Sequence, residues 1–197
     1  MRGLLALSDV LDRIGSFFGR YGSWAIVPMV LITVFDVVTR KYPTVNTFII
    51  EASNHIITST NLQEMEWHLH TLLFSMCLGW GYLRDSHVRV DLVREKLPQK
   101  TQQWIEFLGC SLFLTPYLLV ITYFGFDFVA SSYATGEGSA AMTGLPHRFI
   151  IKGILVLGLI LGISAGVAVW LRKFVYLFGG EETRQDALTF ASERQEA

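Results

Sequence analysis

Long apolar runs separated by short charged segments set the rhythm of this chain. Tyr21–Thr39, Trp67–Leu83, Phe107–Phe126 and Gly153–Leu171 form four such runs; the last three contain no Asp, Glu, Lys or Arg, and the first only Asp36. At 1.5 Å rise per residue, each gives about 25–30 Å of helix, close to the hydrocarbon thickness of a bilayer. The pattern predicts an all-α membrane protein of four transmembrane helices, over about 20–40, 63–84, 99–133 and 148–178. Interfacial elements complete it. Leu4, Leu7, Leu11, Ile14 and Phe18 recur at three-and-four spacing opposite Arg2, Asp9, Asp12 and Arg13, which predicts an amphipathic helix at the membrane surface over residues 1–18. No small-residue cleavage site follows it, so the first apolar run is expected to be retained. Residues 42–61 are too interrupted to span and read as an interfacial connector. Residues 88–97 read as a short surface helix and 181–197 as a polar tail, outside a single membrane domain over 1–180.

Two prolines fall inside spans. Pro28 and Pro116 each remove a backbone donor, so a kink is expected in the first and third helices. The third helix, about 50 Å long, must tilt, kink or protrude.

Composition sharpens the class. Half of the 197 residues are hydrophobic (51%), and the formal charge is −1. Mean hydropathy is +0.40. These values fit one membrane bundle, and no basic stripe interleaved with aromatics suggests nucleic acid. Cys77 and Cys110 both sit in apolar runs without a CxxC spacing, so they read as small core residues.

The cations are unevenly placed. Twelve of the 16 Lys and Arg lie at the amino end, between the second and third spans, or at the carboxyl end; only Arg40, Lys41, Arg148 and Lys152 lie on the other face. The positive-inside rule then places both termini in the cytoplasm of a multi-pass inner-membrane protein. Trp24, Trp80, Trp104 and Trp170 fall at the inner boundary, and Tyr42, Trp67 and Tyr133 at the outer one.

Candidate chemistry concentrates around the second span. Glu64, Glu66, His68 and His70 crowd its outer mouth, and Arg84, Asp85, His87, Arg89 and Asp91 its inner one. Such groups cannot face lipid cheaply, so they must face protein, water or headgroups. Glu64 and His68 share a helix face, as do Glu66 and His70. His68 and His70, however, point about 200° apart and cannot hold one ion without bending the helix. No metal is expected, and polar packing against a partner or headgroups is. A bis-imidazole haem needs membrane-depth histidines on two helices, and only the second span offers any. Asp36 and Arg40 stand at i,i+4 and read as a simple ion pair. The GEGS run at 136–139 lacks the lysine of a phosphate cradle and reads as a turn with Glu137 exposed. No nucleophile–base pair can be assembled, so no enzyme activity is expected. The spans also lack the short, inverted, broken helices of a self-sufficient carrier. The physical reading is a small bundle that holds a partner; the rival is an autonomous four-helix protein, such as a redox cytochrome subunit or a small exporter.

Four stretches carry a family resemblance: LQEMEWHLH at 62–70, RDSHVRVDLV at 84–93, WIEFLGCSLFLTPY at 104–117 and GEGSAAMTGLPHRFIIKGI at 136–154. Together they resemble the small membrane (Q-type, DctQ-like) subunit of TRAP transporters, the tripartite ATP-independent periplasmic transporters, nearest to the mannitol/chloroaromatic-type subgroup. The resemblance implies a scaffold bracing a large membrane subunit, which moves an organic acid (a carboxylate or sulfonate) by a sodium-driven elevator motion. A periplasmic binding protein would deliver the substrate. Sodium and substrate sites would then lie in the large subunit, with no cofactor here, and membrane lipids would surround the bundle.

Overall fold

A computed structural model describes residues 1–84, 86, 96–141 and 143–193. Among them the chain is all helical. Asp85, His87, Arg89 and Asp91, most of the surface helix expected over 88–97, and residues 194–197 lie outside the described residues.

Arg2–Gly22 (α1), one 3-10 turn at Ser23–Ala25 and Ile26–Lys41 (α2) form a single rod. At 1.5 Å per residue it is about 60 Å long. The amphipathic helix expected over 1–18 is therefore not a separate piece; it is the first half of this rod. Nothing between residues 18 and 26 breaks a helix. Pro28 only deprives the Trp24 carbonyl of its usual donor, and the chain tightens to i→i+3 bonding there, with Ile26 N–H donating to Ser23 O.

The face that α1 buries is mostly small and polar, and much of its apolar stripe stays outward. Leu5, Ser8, Asp12, Gly15 and Gly19 point inward, whereas Leu7, Val10, Ile14 and Phe17 are exposed. In an apolar surrounding the small and polar residues gain most from helix–helix contact, because they permit close approach and interhelical hydrogen bonds.

Pro43–Ala52 (α3) starts at a proline suited to a first helical turn. Left-handed Asn54 (φ 49°) and His55 (φ 62°) then reverse the chain. Thr58 caps the next helix by accepting from Asn61 N–H, so α4 spans Ser59–Leu83 and begins four residues before the expected 63. After the inner connector, Gln99–Gly109 (α5), a π turn at Cys110–Leu114 and Thr115–Ala134 (α6) run on without a break. The π turn lies just before Pro116, with Thr115 N–H donating to Cys110 O. Phe149–Phe178 (α7) and Glu181–Glu193 (α8) close the chain.

The centre of the bundle is the α4–α7 pair. A Cβ on Gly79 would fall 2.7 Å from the Leu161 carbonyl oxygen, and one on Gly158 would fall 2.5 Å from Ser75 Cβ. Only glycine lets the two backbones approach that closely. The α1–α2 rod runs antiparallel to α4 along its length: a Cβ on Gly15 would meet Leu83, one on Gly19 Trp80 and one on Gly22 Met76, while Ser59 bonds Asp36. Helices α5 and α6 cover the far side of α7.

Among the described residues, three helical stretches are long and apolar enough to cross a membrane: Arg2–Lys41, Gln99–Ala134 and Phe149–Phe178. Helix α4 is not among them, because its first turns carry Glu64, Glu66, His68 and His70. Its surroundings explain why it tolerates them: it packs between the rod and α7. The outward faces of α2 and α6 are strongly apolar, including Leu31, Val34, Tyr117, Tyr123 and Phe124.

The expected tail is a docked helix. Ala187 of α8 packs with Leu5, Val175 and Tyr176 in one buried cluster. Arg184 lies over the Tyr176 ring at 4.6 Å, and Arg2 pairs with Glu182 at 2.6 Å.

Candidate functional site

Charged side chains gather at the two ends of the bundle. At the end holding both termini, Arg172 of α7 donates to Asp12 at 2.6 Å, with Asp9 at 3.9 Å, and Lys173 pairs with Glu106 at 2.5 Å. Asp12 is 2% exposed. Ser8 Oγ adds a hydrogen bond to the Ala168 carbonyl at 2.9 Å. Beside them Trp104, Phe107, Trp170, Phe174 and Phe178 form a continuous aromatic cluster, and Trp170 Nε1 donates to Ser111 Oγ at 2.7 Å, next to the π turn.

The opposite end is built around Glu64. Facing inward from the second turn of α4, its carboxylate accepts from Ser139 Oγ, from Leu145 N–H at 2.5 Å and from Arg148 Nη2 at 3.3 Å. All three donors belong to the segment between α6 and α7, so one acid side chain pins that glycine-rich loop to α4. The loop is prepared for this. Gly136 (φ +60°) turns the chain, Ser139 N–H donates to Leu145 O, and Arg148 N–H donates to Glu137 O.

A second pair reinforces the first. Lys152 Nζ contacts Glu137 at 2.5 Å and sits 3.7 Å from the Phe128 ring centroid; Arg148 lies 5.7 Å from the Trp67 ring. Glu137 is thus half-buried and paired, not the exposed turn residue expected. The Lys152 ammonium beside it, with help from the Arg148 charge, holds its carboxyl below the usual carboxylate range.

The four candidates at this mouth have different surroundings. Glu64 is buried; His68 Nδ1 donates to the Glu64 main-chain oxygen at 2.6 Å while its ring stacks on Trp67; His70 is exposed. Glu66 is half-buried, and its Oε1 is shielded with no hydrogen-bond partner among the described residues. The shared helix face of Glu64 and His68 produces a contact to main chain, not to carboxylate. Among the described residues no group of three or more His, Cys, Asp or Glu converges as a metal site. Of the candidates at the inner mouth, Arg84 ends α4, its N–H bonding to Trp80 O.

The Asp36–Arg40 pair forms as expected, at 2.5 Å, and Asp36 is also fully buried and accepts from Ser59 Oγ at 2.6 Å. That bond ties α2 to the start of α4. Ser139, Leu145, Arg148 and Lys152 were the partners that sequence reasoning missed. Their signal was present: a glycine-rich loop followed by two cations four residues apart, facing a helix mouth with surplus acid.

Between α4, α6 and α7 this end also holds an open groove of about 330 Å³, lined mainly by carbon from Trp67, Phe128, Ile151 and Leu155, with Glu137, Arg148 and Lys152 at its polar rim.

The residues that meet at the Glu64 end come from the first and fourth motif stretches of the chain's middle, and that region is what a family model recognises. The model described as "Tripartite ATP-independent periplasmic transporters, DctQ component" matches residues 29–176. This chain belongs to the DctQ family. It is a small membrane subunit of a TRAP transporter, a transport component and not an enzyme, and an autonomous redox or exporter role is not favoured. No curated protein and no solved structure matches the chain. The matched region of this DctQ subunit begins inside α2 and ends inside α7. Helices α1 and α8, which pack on one another, lie outside it.

Proposed function

We propose that this DctQ subunit is a static scaffold for a sodium-coupled transporter that imports an organic acid, a carboxylate or sulfonate. A periplasmic binding protein delivers the substrate, and the large membrane subunit carries it in an elevator motion braced by this chain. The supporting observation is how the charges are used. Asp12–Arg172, Asp36–Arg40, Glu64–Arg148, Glu106–Lys173 and Glu137–Lys152 are paired at the two ends. Each pair ties two segments together or steadies one, and none is strung into a route between the ends. A carrier would hold polar groups near mid-membrane on broken helices. The mannitol/chloroaromatic likeness supplies no substrate identity. Reconstituted alone, the chain shows no sodium-dependent uptake of organic acids, whereas vesicles with the large subunit and binding protein do. Uptake by the chain alone overturns the scaffold reading.

In the same reading α4 is a fourth span, its polar first turns shielded by the rod and the α6–α7 loop, and both termini face the cytoplasm of a bacterial inner membrane. Exposed Thr135 and Lys100 lie at opposite ends. With Cys77 and Cys110 replaced, Thr135→Cys is labelled by a membrane-impermeant thiol reagent added outside intact spheroplasts, and Lys100→Cys only after lysis. The reverse result inverts the topology.

A further inference from the structure

The groove beside the Glu64 latch is not needed to hold the latch together. We propose that it binds one zwitterionic phospholipid, of the ethanolamine-headgroup class. The lipid phosphate sits against Arg148 and Lys152, its ammonium faces Glu137, and an acyl chain lies along Phe128 and Leu155. The inference rests on the membrane placement given above, which puts this rim at headgroup depth.

Three features select that ligand. First, the groove is amphipathic in the right sense, lined mainly by carbon with ions among its lining, and it lies open between α4, α6 and α7. Half-exposed Phe128 (50%) and Trp67 (39%) flank it. Aromatic rings at this depth favour the headgroup boundary. Second, Arg148 has donor capacity to spare. Its contact to Glu64 is long, at 3.3 Å, and its side chain keeps 28% of its exposure. A guanidinium presents five N–H groups in a fork suited to phosphate oxygens. Third, the site is balanced in charge: Glu64 and Glu137 offset Arg148 and Lys152. A neutral site gains little from a net anionic headgroup, whereas a zwitterion meets both signs at once.

The test uses the full chain co-expressed with its large membrane partner and extracted with a mild detergent from membranes containing both phosphatidylethanolamine and phosphatidylglycerol. Native mass spectrometry reads the lipid retained. Leu155→Trp fills the apolar part of the groove and touches none of the ion pairs. It is expected to reduce retained phosphatidylethanolamine roughly tenfold, equivalent to about 1.4 kcal/mol, without lowering the unfolding midpoint. Lys152→Gln, which removes the phosphate contact and leaves the groove open, is expected to weaken retention too. Inorganic phosphate at millimolar concentration should not displace the lipid. Equal retention in wild type and Leu155→Trp overturns the proposal. So does equal retention of phosphatidylglycerol, or displacement by phosphate, which would make this a free-anion site. A photo-crosslinking residue at position 155 that captures the partner protein in place of lipid overturns it as well. The spheroplast labelling above tests the membrane placement separately, so failure of one is distinguishable from failure of the other.

Discussion

Replacing Glu64 by alanine is expected to release the α6–α7 loop from the bundle and destabilise the subunit by about 3 kcal/mol. The change strands three donors at once: Ser139 Oγ, Leu145 N–H and Arg148. An unmade buried hydrogen bond costs about 1–3 kcal/mol, so a simple sum would be larger. The sum overstates the loss, because Arg148 retains 28% of its side-chain exposure and can turn toward water. Glu64→Gln separates charge from geometry. It preserves volume and one acceptor oxygen, but offers Leu145 or Ser139 an amide donor where an acceptor is needed, so an intermediate loss is expected. Hydrogen exchange of residues 136–148 and the unfolding midpoint in detergent are the measurements. Unchanged exchange in Glu64→Ala would show that the loop's internal bonds hold it without α4. Lower association with the large subunit is expected only if that partner reads the loop, which copurification checks.

The site was half legible in the sequence, and the reason is geometric. A helix mouth bearing Glu64, Glu66, His68 and His70 announces unsatisfied polar groups, and their depth makes partners obligatory. What periodicity cannot say is which of two acids two residues apart turns inward, since they sit on nearly opposite faces and neither face is marked by a clean apolar stripe. Packing decides it: Glu64 meets the loop, and Glu66 points away from it. The loop's role was hidden for another reason. Glycine-rich segments have no period, so their contacts are set by tertiary closure over 75 residues or more of chain, as between Glu64 and Ser139. Three of the apolar runs were legible as parts of helices long and apolar enough to cross a membrane, because that property depends on length and composition alone. The burial of α1 was not. An apolar stripe marks the side suited to lipid and leaves open what the other side meets, and α1 turns glycine, serine and aspartate into the bundle.

That small, polar inner face leads to the second large effect expected, at the opposite end. Arg172→Met is expected to free the first half of the rod, with a cost of about 3–5 kcal/mol, because Asp12 stays buried and loses its nearest cation. The apolar contribution along this seam is small. Of the inward residues of α1, only Leu5 is a large hydrophobe, in the cluster with Val175, Tyr176 and Ala187. The glycines contribute closeness, and Ser8 one hydrogen bond, worth about 1 kcal/mol. The ion pair is therefore the dominant attachment of α1 to α7, and it holds a helix that the family match does not cover. Limited trypsin cleavage at Arg13 and hydrogen exchange over residues 2–20 report the detachment, while exchange around Glu64 stays at the wild-type level. The double change Asp12→Asn with Arg172→Met removes both charges and is expected to recover most of the protection, since a buried pair replaced on both sides costs far less than one broken on one side. If Arg172→Met alone leaves residues 2–20 as protected as in the wild type, the α1 attachment rests on the glycine seam with α4, and the pair to Asp12 is incidental.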